Sequence, residues 1–451
     1  MKFGFLHNRW FKFAIWSLLY LAWVIWLGNY WWLIGEVVIF DLYITKKVKW
    51  AFWRKRGNDG KPKAWVEWVD AILFALVAAT FIRMFFIEAY TIPTGSMEKT
   101  LMVGDYLFVS KLSYGPKVPQ TPLSFPLVHN VMPIFGGESY STAIQNDYRR
   151  LKGFGKVKRN DIVVFGFPNG DTVFNRKELR QNDYYQIVRI NGNNREYTQR
   201  MCGPVIVRPD DKKDNYVKRC VAIPGDTLRI INGTVYVNGV QQPQFDGIQS
   251  TYTVYTNGSY INPKILENIG LDYGERDFDS TLPGYPEMTL TKSELEQIEK
   301  LPVVVEIREN IDTYPPDYPD SYITLFPFST DFKWTRDNYG PLWIPARGAT
   351  VTLSLENLPL YRRIITAYED NTLEVVDGQI IINGQPCNEY TFRQDYYFMM
   401  GDNRHHSSDS RYWGFVPEDH IVGTPVMIWL SIDKNRSFPF NIRWGRIFDL
   451  V

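Results

Sequence analysis

The sequence predicts a mainly β protein: N-terminal transmembrane helices are followed by a β-rich domain of antiparallel sheets with an inserted α+β subdomain. Two apolar runs, residues 13–35 and 71–87, lie near the N-terminus. From Tyr90 onward, short runs of β-branched and aromatic residues alternate with Gly, Pro and Asn turns, a pattern typical of antiparallel sheets. The 451 residues are 45% hydrophobic and 22% charged, which excludes a disordered chain and allows a sizeable core.

Charge is unevenly distributed along the chain. Residues 1–63 carry eleven Lys/Arg and three Asp/Glu, so with a total net charge of +1 the remainder carries about −7. Ten of the fifteen Trp precede residue 69. A basic, Trp-rich end followed by a mildly acidic body indicates a membrane anchor followed by a water-soluble domain. The small net charge argues against a nucleic-acid partner.

Both apolar runs are predicted to span a lipid bilayer. The first, residues 13–35, has 23 uncharged residues, enough to cross about 30 Å of hydrocarbon. It is too long for the apolar part of a cleavable secretion signal, and no small-residue cleavage site follows it. The second run, residues 71–87, lies in a predicted helix of about 66–87, and by itself it could be a buried core helix. Its leading Trp65 and Trp68 favour a span with interfacial anchors, and Arg83 can extend to the headgroups.

The loop between the two runs predicts the orientation of the chain. Its basic residues are Lys46, Lys47, Lys49, Arg54, Lys55, Arg56, Lys61 and Lys63. Positively charged loops stay in the cytoplasm, so with two spans the N-terminus and everything after Glu88 are expected on the far side. Residues 1–88 are therefore predicted to be a membrane anchor.

Local signals in the body predict hairpins and two helices. Strand-like runs include 161–165, 228–231, 234–237 and 379–382, and the turn pairs are Asn232-Gly233, Asn238-Gly239, Asp377-Gly378 and Asn383-Gly384. Thr291 and Glu294 form a capping-box pattern that opens a helix to about Lys300. Apolar residues at helical spacing predict a second helix near Leu358 to Glu369.

Three polar segments carry the chemical information: residues 90–105, with Ser96 on a Pro-Thr-Gly bend; residues 215–226, with Lys218 in a strand-like run; and residues 401–414. Each is a weak signal alone, because serines in turns and polar loops are usually structural. In this order after a transmembrane run they resemble the bacterial type I signal peptidases, which are membrane-bound Ser/Lys proteases. The resemblance covers about residues 65–245 and 372–451, on motifs such as Gly95-Ser-Met97, Tyr216-Val-Lys-Arg219 and Gly401-Asp-Asn-Arg404.

The resemblance implies a role for each matching residue. Ser96 would be the nucleophile and Lys218 the general base, which requires burial because a free lysine, with a pKa near 10.4, is protonated at neutral pH. Thr94 and the backbone N–H of Ser96 would hold the oxyanion, and Ser407 would orient the base. Supporting ion pairs would come from Arg219, Asp402, Asp409 and Arg411, with Arg219 facing Asp402. The residues matching the substrate cleft are Tyr90, Ile92, Met97, Val164, Tyr216 and Val217.

The implied partners are signal peptides of exported preproteins and the lipid bilayer, with no nucleic acid, metal or cofactor. The implied location is the bacterial cytoplasmic membrane, with the catalytic domain on the extracytoplasmic side. The resemblance also divides the body into a catalytic β domain, 89–245 and 372–451, and an insert, 246–371, of unknown role that is expected to lie outside the catalytic core. Cys202, Cys220 and Cys387 are too few for a disulfide framework.

Three alternatives remain open at this point. Ser96-x-x-Lys99 matches the signature of penicillin-binding enzymes, although their companion motifs are absent; Lys99 is expected to be solvated and charged. His405-His406 could suggest a Ser-His catalyst or a metal site, but no third ligand accompanies the pair, so a polar turn is the preferred interpretation. A catalytically silent homologue acting as a scaffold or regulator would lack the dyad, and both Ser96 and Lys218 are present.

Overall fold

The structure, a computed structural model, describes part of the chain. The described residues are 8–50, 64–133, 136–168, 172–174, 179, 183–271, 285–314 and 324–451. Five residues of the predicted basic loop, Arg54, Lys55, Arg56, Lys61 and Lys63, lie outside the described residues, as do parts of the 246–371 range.

Nine α-helices occur in the described part of the chain, with shorter helical turns between them. The α-helices are α1 (Arg9–Leu27), α2 (Ile34–Phe40), α3 (Ala64–Phe85), α4 (Tyr184–Ile190), α5 (Arg195–Cys202), α6 (Pro263–Ile269), α7 (Lys292–Ile298), α8 (Leu358–Arg363) and α9 (Ser410–Trp413). The 3-10 turns are Tyr30–Leu33, Gly95–Met97, Asp210–Lys212, Thr330–Phe332, Glu418–His420 and Trp444–Arg446, and π-helical turns cover Asp41–Thr45 and Ile364–Tyr368.

Strands are the other regular elements of the described chain. They are β1 (Ile87–Thr91), β2 (Asp105–Ser110), β3 (Ile162–Gly166), β4 (Thr172–Phe174), β5 (Val205–Val207), β6 (Asn215–Ala222), β7 (Thr227–Ile231), β8 (Thr234–Val237), β9 (Val240–Gln241), β10 (Gln249–Thr256), β11 (Tyr285–Thr291), β12 (Val304–Glu309), β13 (Tyr339–Trp343), β14 (Thr350–Thr352), β15 (Leu373–Val376), β16 (Gln379–Ile382), β17 (Gln385–Pro386), β18 (Glu389–Thr391), β19 (Tyr396–Met400), β20 (Val416–Pro417) and β21 (Ile421–Ser431). The predicted fold class, mainly β after N-terminal apolar helices, is confirmed.

A seven-stranded antiparallel sheet organises the domain, in the order β1-β2-β21-β3-β6-β19-β20. Strand β1 lies at one edge and pairs with β2, and β6 pairs along its length with β3. Strand β19 pairs with β6 only over residues 219–222. The first half of β6 therefore has one edge that β19 does not cover.

The predicted hairpin turns are present where the sequence places them. Asn232-Gly233 joins β7 to β8, and Asp377-Gly378 joins β15 to β16. Both residues of each pair have positive φ, 44° and 74° in the first turn and 51° and 78° in the second. Asn, Asp and Gly tolerate these angles, and such turns match the twist of the flanking strands.

Both predicted helices of the body are also confirmed. Helix α7 begins after Thr291, whose hydroxyl accepts the N–H of Glu294, while the carboxylate of Glu294 accepts the N–H of Thr291. This reciprocal capping satisfies two N–H groups that have no partner within the helix. Helix α8 begins at Leu358 and continues as a π-helical turn to Tyr368.

The first apolar run ends its helix earlier than predicted. Helix α1 ends at Leu27 because Gly28 adopts a left-handed conformation, with φ of 63°, and its N–H caps the last turn. The chain then reverses direction. Tyr20 donates its hydroxyl to the carbonyl oxygen of Trp32, and the rings of Phe13 and Phe40 lie 5.5 Å apart. Residues 30–45 therefore run back along α1 and do not extend it to residue 35.

Helices α1 and α3 meet at their C-terminal ends. The ring of Trp23 lies 5.9 Å from that of Phe81, and the ring of Trp26 lies 6.1 Å from that of Phe85. Trp26 also donates its indole N–H to the carbonyl oxygen of Lys152, 2.9 Å away, in the β-rich domain. Helix α3 ends at Phe85, two residues before the predicted end, because Ile87 starts β1. Two antiparallel spans would instead place the C-terminal end of one helix beside the N-terminal end of the next, and the two-span topology stays a prediction.

The described residues of the 246–371 range form two packing units. Strands β10, β11 and β12 form a separate three-stranded sheet around a core that includes Val254, Leu290 and Ile298. Residues from Phe326 to Tyr368 instead share the largest core cluster of the domain with β7, β8, β16 and β19. The domain boundaries drawn from the sequence stay a prediction.

Candidate active site

Ser96 lies on the short helical turn Gly95–Met97, which we call the nucleophile turn. The preceding Thr94 is extended, with φ of −129° and ψ of 154°. Met97 is fully buried at 0% exposure and packs in a cluster with Ile92 and Leu107 beneath the turn. This anchor fixes the turn at the edge of the seven-stranded sheet, with Ser96 above it.

Strand β6 brings Lys218 to Ser96. The Nζ atom of Lys218 lies 2.5 Å from the Oγ atom of Ser96 and 3.1 Å from the carbonyl oxygen of Val217. Lys218 is only 3% exposed. Burial lowers its pKa from an ordinary value of 10.5 to about 8, although the nearby carboxylates of Asp409 and Asp402 favour the charged form. At pH 7 about one molecule in ten therefore has a neutral Lys218 that can accept a proton.

Arg219 points away from Lys218 and pairs with Asp402. Its Nε and Nη2 atoms donate to the two carboxylate oxygens at 2.8 and 2.6 Å. Asp402 is fully buried, and it also accepts the hydroxyl of Thr100 at 2.6 Å. Strand alternation explains why Lys218 and Arg219 face opposite sides of β6. The pair joins β6 to the segment that follows β19.

A second buried ion pair closes the same segment, residues 401–411, which we call the catalytic loop. Arg411 donates to the carboxylate of Asp409 at 2.9 and 2.8 Å, and the N–H of Gly401 donates to it at 3.1 Å. Burial alone would raise the pKa of Asp409, but the Arg411 guanidinium and these hydrogen bonds hold it below its ordinary value. Because both partners of each ion pair are buried, removal of either one would leave an uncompensated buried charge.

The catalytic loop holds the nucleophile turn through Asn403, a residue to which the sequence analysis gave no role. Its N–H donates to the carbonyl oxygen of Ser96 at 3.2 Å, and its side-chain amide donates to that of Gly95 at 3.3 Å. Gly401 lies so close that a Cβ atom there would stand 2.5 Å from the carbonyl oxygen of Ser96. The Gly-Asp-Asn-Arg motif was the available sequence signal for a role of Asn403. Its hydrogen bonds to Gly95 and Ser96 join residues over 300 positions apart, so the sequence alone did not predict them.

The remaining candidate catalytic residues lie close to this centre. The Ser407 side chain is buried against Gly401, while the two hydrogen bonds of Lys218 run to Ser96 and Val217. The role of Ser407 in orienting the base therefore stays a prediction. Thr94 lines the cleft next to Ser96, and its role in the oxyanion hole also stays a prediction.

A cleft of about 90 Å³ opens beside the dyad. It is lined by Ser96 and Lys218 together with five of the six predicted substrate residues, Tyr90, Ile92, Val164, Tyr216 and Val217. The sixth, Met97, is buried in the core below the nucleophile turn. The cleft lies between edge strand β1 and the half of β6 that β19 leaves uncovered. An extended peptide can therefore pair with backbone groups there.

Lys99 and His405 have different surroundings from those the sequence suggested. Lys99 was expected to be solvated, but its Nζ atom lies 2.9 Å from the carboxylate of Glu294 and donates to the carbonyl oxygen of Gly270 at 2.7 Å. His405 was expected in a polar turn, but its side chain is 5% exposed and contacts Asp337.

Among the described residues, no group of three His, Cys, Asp or Glu is arranged to hold a metal, and the three cysteines are free thiols.

Comparisons with known proteins identify relatives of this chain. The family model for signal peptidase, peptidase S26, matches residues 65–264 and 388–430. Signal peptidase I of Buchnera aphidicola subsp. Acyrthosiphon pisum is 27% identical over 403 residues, covering 88% of this chain and 85% of that protein. Signal peptidase I of Haemophilus influenzae is 26% identical over 388 residues, with coverage of 84% and 74%. Signal peptidase I of Helicobacter pylori strain J99 is 25% identical over 397 residues, with coverage of 85% and 91%.

Proposed function

Because this chain belongs to the signal peptidase family, peptidase S26, we propose that it is a membrane-bound endopeptidase that removes signal peptides from exported preproteins with a Ser96–Lys218 dyad. The carrying observation is the distance of 2.5 Å between the Lys218 Nζ and Ser96 Oγ atoms, with the lysine buried and its pKa lowered to about 8. A nucleophile within hydrogen-bond distance of a base that can be neutral is the minimum arrangement for acyl transfer.

The proposed reaction has two stages. Neutral Lys218 takes the hydroxyl proton of Ser96 while Oγ attacks the scissile carbonyl carbon, and the backbone N–H of Ser96 and the hydroxyl of Thr94 stabilise the oxyanion. Lys218 then gives the proton to the leaving amine, which departs as the new N-terminus of the mature protein. In the second stage Lys218 deprotonates water, the hydroxide attacks the acyl-enzyme, and the proton returns to the Oγ of Ser96.

The buried ion pairs support this chemistry from outside the cleft. The Arg219–Asp402 pair connects β6, which carries the base, to the catalytic loop. The Asp409–Arg411 pair closes that loop beside Gly401. We assign these four residues positioning roles, because their bonds fix the two elements that carry Lys218 and support Ser96.

The proposed substrate is an extended peptide with small residues at positions −1 and −3 from the scissile bond. An added strand would receive main-chain hydrogen bonds, and alternate side chains would enter the cleft. The cleft's small volume, about 90 Å³, and its apolar wall, with Ile92 and Val164, suit small side chains. Bulky residues at these positions are therefore expected to be excluded.

Helices α1 and α3 are proposed to anchor the protein in the bacterial cytoplasmic membrane. With 19 and 22 residues they extend about 28 and 33 Å, and their apolar side chains are mostly exposed. Both end at the β-rich domain, so both would cross the bilayer in the same direction. Lys46, Lys47 and Lys49 follow the segment that returns along α1, so this basic end is assigned to the cytoplasm and the catalytic domain to the extracytoplasmic side. The N-terminus then lies on the cytoplasmic side, unlike in the two-span prediction.

The test is cleavage of a preprotein by the detergent-solubilised full chain, followed by mapping of the new N-terminus. A preprotein with Ala at −1 and −3 should be cut directly after the −1 residue. The matched control has Phe at −1 and should remain uncut. Failure to cleave the Ala substrate, by protein that is folded, would instead support a catalytically silent homologue.

A further inference from the structure

The 246–371 range contacts the catalytic loop directly. The N–H of Gln249 donates to the carbonyl oxygen of Asp402 at 2.9 Å, and the N–H of Arg404 donates to that of Gln249 at 3.0 Å. This parallel bridge attaches the start of β10 to the loop residues on either side of Asn403. Asn403 in turn holds the carbonyl oxygen of Ser96. The start of the 246–371 range is therefore in backbone contact with the catalytic loop, while its place outside the catalytic core stays a prediction.

His405 forms a second, side-chain connection beside this bridge. Its Nε2 atom lies 3.0 and 3.1 Å from the two carboxylate oxygens of Asp337. Its Nδ1 atom lies 3.1 Å from the backbone nitrogen of Thr251 and 2.6 Å from the hydroxyl oxygen of the same residue. One imidazole in the catalytic loop thus connects to two separate parts of the 246–371 range.

The contacts define the protonation pattern of the imidazole. A backbone N–H can only donate, so Nδ1 accepts from Thr251, and in the neutral ring the proton then resides on Nε2 and is donated to Asp337. The resulting Asp–His–Thr arrangement looks like a hydrolytic triad. Thr251 is only 6% exposed, however, so its hydroxyl is shielded from a substrate. The arrangement is therefore a structural connection and not a second catalytic centre.

The residues on the other side of the connection are themselves held in place. The N–H of Asp312 donates to the carboxylate of Asp337 at 2.8 Å, and Asp312 also pairs with Arg336. Arg336 donates to the carbonyl oxygen of His405 at 3.0 Å. His405 thus contacts Asp337 through its ring and Arg336 through its backbone, and hydrogen bonds with Asp312 hold both of these residues.

We propose that His405 is a positioning residue that couples residues 251 and 337 to the catalytic loop and, through Asn403, aligns Ser96 for attack. The inference rests on the proposed function and assigns a role to the range from 246 to 371, which supports the site without touching the substrate. Small displacements of a nucleophile reduce the rate steeply, since attack requires a narrow range of distance and angle.

The test compares His405→Ala with His406→Ala in the full-length, detergent-solubilised protein. His406 is the adjacent, exposed residue of the same type, which makes it the matched control. With a preprotein substrate, His405→Ala should lower kcat by roughly 100-fold while KM changes by less than about threefold, and the control should stay within about twofold of the unmodified protein. His405→Gln, which can still donate to Asp337, should recover part of the loss. Equal kcat values for the two alanine variants would overturn the proposal.

Hydrogen–deuterium exchange separates this proposal from the proposed function, because it needs no substrate. In His405→Ala the amides of Asn403 and Arg404 should exchange roughly tenfold faster or more, whereas those of β3 and β6 should keep their protection. Unchanged protection at Asn403 and Arg404 would refute the coupling. A clear exchange effect in a protein that fails to cleave any preprotein would keep the coupling and reject the peptidase assignment.

Discussion

The pH dependence of cleavage tests the electrostatic account of the base. Burial lowers the pKa of Lys218 from 10.5 to about 8 in the folded protein. At pH 7 about one molecule in ten then carries a neutral lysine, compared with about one in three thousand for an ordinary lysine. The structure therefore supplies roughly a 300-fold gain in active base at neutral pH. Below pH 8, kcat/KM should fall about tenfold for each pH unit, and it should level off above that pH.

The assay measures kcat/KM from pH 6 to pH 10 on a peptide without ionisable side chains near the scissile bond. Circular dichroism at each pH checks that the protein stays folded, so that lost activity is not lost structure. Activity that keeps rising to pH 10 would mean that Lys218 is solvated and that the burial argument fails. A profile with no acidic limb would show that the base is another group.

Three further predictions follow from the same geometry. Gly401→Ala should lower kcat at least about tenfold, because the added Cβ would stand 2.5 Å from the carbonyl oxygen of Ser96. An unchanged kcat would mean that the catalytic loop does not lie this close to Ser96. Lys218→Met should raise the free energy of unfolding at pH 7 by up to about 3 kcal/mol. The lowered pKa of Lys218 reduces the stability of the folded protein by its full amount below pH 8, and this loss disappears above about pH 10.5. Denaturant titration measures the difference, and a variant less stable than the unmodified protein would contradict the prediction. Reporters at the N-terminus and after residue 60 should both report cytoplasm and one after residue 115 the far side, whereas an N-terminal reporter on the far side would restore the two-span topology.

Local features of this fold could be predicted from the sequence. The Asn232-Gly233 and Asp377-Gly378 turns depend on residues that accept positive φ, and the start of α7 depends on two side chains three positions apart. The order of the Ser96 and Lys218 motifs also predicted which two residues would meet, because a Ser/Lys dyad requires particular residue types in particular surroundings.

Features that depend on distant contacts could not be predicted in the same way. The 13–35 run has no charge, so nothing in its polarity marks the reversal after Gly28, although Gly28 and Asn29 were the available turn signal. The burial of His405 depends on Asp337, which is 68 positions away. The pairing of Lys99 with Glu294 likewise depends on how the 246–371 range folds back.

The most direct test of the catalytic dyad compares three variants on one preprotein, with circular dichroism to verify folding. Ser96→Ala removes the nucleophile, and Lys218→Met removes the amine while keeping its bulk. Both should lower the rate by at least about a thousandfold. Lys99→Met, the matched control, should change the rate by less than about tenfold, because Lys99 is paired with Glu294. An active Lys218→Met protein beside an inactive Lys99→Met protein would contradict the assignment of the base.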